Sequence, residues 1–245
     1  MNKKRTIVYM IANPEDSEVV YSGIDFSEFI RYLPHAIDNL MLITGGSNVI
    51  LTESRFERGL EVIEGSMLIE KLSYEELYRL GNFCFIDYSS RGKISNLHDE
   101  EIAELLYLGH MFKPLKSPFF DVLQNRFVYL AHDDGFYCKL YCRDSDDITS
   151  VLLGKITAEI TPIKIEYSNI VDKMKHLSTS GILIDLEDTK DKGGYNELKI
   201  FTIGKYEDID SILNNLQYIK QNAINVSKLL YSKNNCELTL VPCVI

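Results

Sequence analysis

The stretch from Arg126 to Arg143 constrains the fold more than any other part of the chain. Two runs of aromatic and β-branched residues flank Asp133, Asp134 and Gly135, and an Asp-Gly step supplies the backbone conformations that a tight hairpin turn needs. Successive side chains on a strand point to opposite faces. Phe127, Tyr129 and Ala131 therefore share one face, and Val128, Leu130 and His132 the other. A hairpin that is apolar on both faces belongs inside a sheet, with material packed above and below it. The expectation is a mixed protein, α/β or α+β, with a three-layer arrangement of helices on a sheet and a central β-hairpin at about residues 126–143.

Other elements follow from the period of the apolar residues. Arg5–Ala12, Asn39–Thr44, Ser66–Leu72 and Asn82–Tyr88 read as strands. Asp25–Leu33, Ser54–Glu64 and Ser73–Leu80 read as helices, the last opened by Ser73 with Glu76 at capping-box spacing. Asp99–Phe112 is a stronger helix. Three acidic residues crowd its positive end, Ile102, Leu105, Leu106 and Met111 form an apolar stripe, and Pro114 and Pro118 stop it.

In the second half, Asp147–Ile156 and Ser168–Leu177 read as helices, and Ile182–Leu186 and Leu198–Ile203 as strands. One amphipathic helix is expected over Asp208–Ala223. Val226–Tyr231 and Glu237–Val241 can close as a hairpin across Lys233, Asn234 and Asn235. No repeat or linker stands out. The organisation expected is a βα-alternating lobe over 1–145 and an α+β lobe over 146–245, or one continuous domain.

Charge and composition narrow the function. A net charge of −10, with neither half basic, repels a phosphate backbone, so no nucleic-acid partner is expected. No apolar run reaches the roughly 18 to 20 residues that span a bilayer, so no membrane association is expected either. Lys3, Lys4 and Arg5 precede a short apolar stretch that Asn13, Pro14, Glu15 and Asp16 interrupt. That pattern fits a cytoplasmic protein starting with a strand better than a signal peptide. Five cysteines, with no Cys-x-x-Cys pair, argue against both a disulfide framework and a zinc ribbon.

Three groups of residues could carry chemistry. His110, His132, Asp133 and Asp134 follow the His…His-Asp order of metal-dependent phosphohydrolases. That chemistry places its His-Asp pair on a helix, however, whereas here the pair opens a hairpin turn, and no bound metal is expected. Gly45, Gly46, Ser47 and Asn48 could cradle a phosphate, but lack the lysine of a P-loop and the third glycine of a dinucleotide fingerprint. Phe136, Tyr137, Lys139, Tyr141 and Arg143 combine aromatics with cations, the mixture enriched where proteins meet.

No Gly-x-Ser-x-Gly elbow is present, no catalytic residue is assigned, and no cofactor is expected. The reading is a binding or regulatory protein that self-associates as a homodimer or docks a protein partner. The alternative is a hydrolase-like enzyme for a small molecule or nucleotide, using the Gly45–Asn48 turn and the region of His110, His132 and Asp133.

At YSGIDF (Tyr21–Phe26), EIAELLYLGHMF (Glu101–Phe112) and NRFVYLAHDDGFYCKLY (Asn125–Tyr141) the chain resembles an uncharacterised family of soluble bacterial proteins. Some members of that family carry the name oxalate:formate antiporter. The resemblance covers mainly the first 145 residues and implies no catalytic residues. A transporter name does not suit a chain that has no membrane span.

Overall fold

The protein is described by a computed structural model over residues 6–44, 51, 54–58, 60–72, 82–91, 93–132, 137–161, 167–204 and 209–243. Its centre is one open, 13-stranded sheet. The strands are β1 (Ile7–Asn13), β2 (Glu18–Ser22), β3 (Asn39–Thr44), β4 (Arg55–Glu57), β5 (Leu60–Glu64), β6 (Phe83–Tyr88) and β7 (Phe127–His132). The remaining strands are β8 (Tyr137–Cys142), β9 (Ile182–Asp185), β10 (Lys190–Asp191), β11 (Tyr195–Thr202), β12 (Asn225–Ser232) and β13 (Glu237–Pro242). Their order is β13-β12-β11-β9-β1-β2-β8-β7-β6-β3-β5-β4, with β10 pairing to β11. The ladders described are antiparallel throughout. The mixed class therefore resolves to helices packed on an antiparallel sheet. Among the described residues, no helix is long and apolar enough to cross a membrane.

The predicted hairpin is there and is central. β7 and β8 pair from Phe127↔Cys142 to His132↔Tyr137, and β2 and β6 flank them. Both faces are apolar, as alternation requires. Phe127, Tyr129 and Ala131 belong to one buried cluster, and Val128 and Leu130 to another. The turn residues Asp133, Asp134, Gly135 and Phe136 lie outside the described residues.

Three helices cover the first face: α1 (Phe26–Tyr32), α4 (Ser145–Ile160) and α5 (Val171–Thr179), with the short α2 (Ser66–Ile69) at its margin. α1 presses Phe26 onto Phe85 at 4.4 Å between ring centroids and Phe29 onto Phe127 at 5.1 Å. Gly154 on α4 admits Tyr32: a Cβ there would sit 2.6 Å from its ring. The second face has two separate covers. α3 (Asp99–Leu108) with Leu97, Phe120 and Leu123 covers the β3, β6 and β7 side. α6 (Ile209–Asn214) and α7 (Leu216–Gln221) cover Tyr9, Leu183 and Phe201 on the β1, β9 and β11 side.

Several expectations need correction. Ser54–Glu64 is not a helix but the hairpin of β4 and β5. Its Glu, Leu and Arg residues favour helix, yet Arg58 takes a left-handed φ of 52° and Glu57 pairs with Leu60. Ser66–Leu72 is not a strand. Gly65, at φ 94°, turns the chain out of β5, and Ile69 and Leu72 are buried three residues apart in a helical turn. The helix over Asp208–Ala223 is broken into α6 and α7 at Asn215, which sits at φ −118°, ψ 24° and donates its side chain to the Ser211 carbonyl. The helix over Asp99–Phe112 stops at Leu108, and Met111 follows at φ 64°. The helix expected over Ser73–Leu80 falls outside the described residues.

Candidate functional site

Between its two covers, the second face of the sheet holds a polar strip over β2 and β8. Antiparallel register sets Glu18 beside Tyr141 and Val20 beside Lys139, so the three odd-numbered side chains Tyr137, Lys139 and Tyr141 project to the same face. His132, opposite Tyr137 on the neighbouring strand, stacks on its ring at 4.6 Å and 7°. Lys139 and Glu18 approach no closer than 3.7 Å, with about a quarter of each side chain open to solvent.

One polar atom in this strip, His132 Nε2, is shut away from water without a hydrogen-bond partner among the described residues, while the equally covered Tyr141 Oη faces the Glu18 carboxylate. Burial, and then the neighbouring Lys139 cation, push the His132 imidazole down to about 4. Burial, reinforced by the Glu18 charge, pushes the Tyr141 phenol up. Both rings are therefore neutral at pH 7. A neutral His132 has no proton to give as an acid there, and its Nε2 is covered.

The structure thus brings together four sequence-predicted residues, His132, Tyr137, Lys139 and Tyr141. Tyr141 is only 2% exposed and is part of the core beneath the strip. Arg143 turns away from it: its Nε donates to the Asn125 carbonyl at 2.7 Å, and its guanidinium lies 4.8 Å over the Phe119 ring. His110 is exposed beyond the end of α3, its nearest ring being Phe112 at 6.3 Å. Gly45, Gly46, Ser47, Asn48, Asp133, Asp134 and Phe136 lie outside the described residues. Among the described residues, no group of three or more His, Cys, Asp and Glu side chains is placed to hold a metal.

A second polar centre was not anticipated. Asp87, near the end of β6, is 4% exposed and accepts the backbone N–H groups of Arg126 and Phe127, each at 2.8 Å. Burial raises its carboxyl to about 6, against the lowering effect of those amides and of the Arg126 guanidinium. Asp147, in the first turn of α4, is 5% exposed, and burial raises its carboxyl too, opposed by Arg126 and His35 and reinforced by Asp144. The available signal was an aspartate inside the apolar run NFCFIDY; such a residue needs partners once its strand is covered on both faces.

Cys84, Cys138 and Cys142 are buried, Cys138 Sγ lies 3.0 Å from Tyr129 Oη, and burial pushes the thiols of Cys84 and Cys142 up, away from the nucleophilic thiolate. Comparison with known proteins finds no matching family model, no matching curated protein and no matching solved structure.

Proposed function

We propose that the chain is a binding module that docks a protein partner on the strip over β2 and β8, the partner being a second copy of itself. One observation carries this reading. Between the two apolar covers the second face presents a half-buried aromatic, Tyr137, which packs against the edge of the α6–α7 cluster, beside a loosely paired cation and anion, Lys139 and Glu18. Aromatic anchors with a few adaptable charges are the composition of protein interfaces, and a closed homodimer is the commonest way of using one.

The test is sedimentation and light scattering of the wild type and of Lys139→Glu, with Tyr137→Ser as a second variant. Association of the wild type is expected, and Lys139→Glu should weaken it about tenfold or more by placing a second carboxylate beside Glu18. Thermal melts of the isolated variants separate lost association from lost folding. A wild type that stays strictly monomeric at high concentration sinks the reading.

A further inference from the structure

We infer that the cavity between α1 and α2, on the sheet face opposite the strip, is a binding site for a small zwitterion with an apolar body, the chemistry of a free amino acid such as leucine or methionine. The cavity has a volume of about 470 Å³, near the lower end of the roughly 300 to 1,000 Å³ typical of small-molecule pockets. Its floor is apolar, formed by the buried Ile37, Ile69 and Leu72. Its ionisable lining is Arg31 and His35, from and after α1, and Glu70, just after α2.

None of these three side chains makes an ion pair or side-chain hydrogen bond among the described residues, although they line one space. In two other cavities part of the charged lining is paired. In one, Lys175 pairs with Asp146. In the other, Lys220 sits 2.5 Å from Asp185 and 2.7 Å from Asp188, and Glu197 pairs with Lys228 at 3.2 Å. At the α1–α2 cavity Arg31 and Glu70 line a common space without bridging it among the described residues.

That separation defines the ligand. An arginine fork matches a carboxylate in two parallel hydrogen bonds, and a glutamate complements an ammonium. A molecule that carries both heads and a hydrocarbon side chain occupies all three parts of the cavity. The wall behind is held in place. Arg126 Nη2 donates to the Ala36 carbonyl at 3.4 Å while its backbone and Nε bind Asp87, so the loop that carries His35 is tied to the sheet.

The experiment is calorimetric titration and thermal shift of the full chain with three probes: L-leucine, 4-methylpentanoate, which lacks the ammonium, and isopentylamine, which lacks the carboxylate. L-leucine should bind, and each truncated probe should bind about tenfold more weakly or not at all. Arg31→Gln should cost leucine about tenfold and leave isopentylamine unchanged. Glu70→Gln should bring leucine and 4-methylpentanoate to similar affinity. Both side chains are exposed, so the ligand-free melting temperature should not move. Absence of binding by all three probes at about 10 mM, equal binding of leucine and 4-methylpentanoate by the wild type, or leucine binding that survives Arg31→Gln would each overturn the assignment.

Discussion

Lys155 Nζ on α4 lies 2.5 Å from Glu28 Oε1 on α1, and Lys155 is buried to within 1%. The same glutamate uses its other oxygen, Oε2, to accept the Asp25 N–H at 3.2 Å, while Asp25 accepts the Glu28 N–H at 2.8 Å. One carboxylate therefore closes the capping box of α1 and anchors α1 to α4. The pair links the two helices that sit over the central hairpin.

Lys155→Met should consequently lower stability by about 3 kcal/mol, because it leaves a carboxylate in a largely buried position without its cation. Adding Glu28→Gln should recover more than half of that loss, since glutamine still accepts the Asp25 N–H but carries no charge. Urea unfolding of the two single variants and the double variant measures the coupling. Additive losses would show that the two side chains stabilise the fold independently of each other.

The hairpin of β7 and β8 was legible in the sequence because period-2 alternation and an Asp-Gly turn are both local signals. The common face of Tyr137, Lys139 and Tyr141 followed from the same period. The openness of that face to solvent did not, because it depends on where the covers from α3 and from α6 and α7 stop, which no local pattern states. β2 went unread: EVVYS is five residues long and starts directly after Ser17, a turn residue at φ 52°. The centre at Asp87 joins residues 39 apart in sequence, Asp87 and Arg126, and adds Asp147 from α4. Nothing in the spacing of those residues marks them as neighbours until the order β8-β7-β6 is known.

Asp87 predicts a pH dependence of definite sign. Its folded-state carboxyl is raised to about 6 from an ordinary value of 3.8, so between those two values the folded chain holds a proton that the unfolded chain has released. Its contribution is fully present below about pH 4 and is lost as the pH rises through about 6. Asp87→Asn keeps an oxygen to accept the Arg126 and Phe127 amides and removes the titration. Relative to the wild type, the variant should gain on the order of 3 kcal/mol between pH 4 and pH 7. Denaturant midpoints for both chains at several pH values test this. A stability difference that is flat across that window would mean the carboxyl ionises without penalty, with Arg126 neutralising it.

His132 predicts the opposite slope. Its folded-state imidazole is held down to about 4 from 6.5, by burial first and Lys139 second, so as the pH falls below about 6.5 the unfolded chain takes up the proton while the folded chain refuses it. Its share of the stability is therefore complete above the upper value and is lost as the pH falls towards 4. Part of the ring reaches solvent, which reduces the loss to about 2 kcal/mol. His132→Phe preserves an aromatic face for Tyr137 and removes Nε2, which has no partner among the described residues. The variant should be more stable than the wild type at pH 7 by about 1 kcal/mol, the cost of a buried polar atom left unsatisfied. Its advantage should widen on acidification to pH 4.5. Thermal melts at pH 7 and pH 4.5 measure both effects. A constant advantage at the two pH values would place His132 Nε2 in contact with water and count against the burial assigned to that atom.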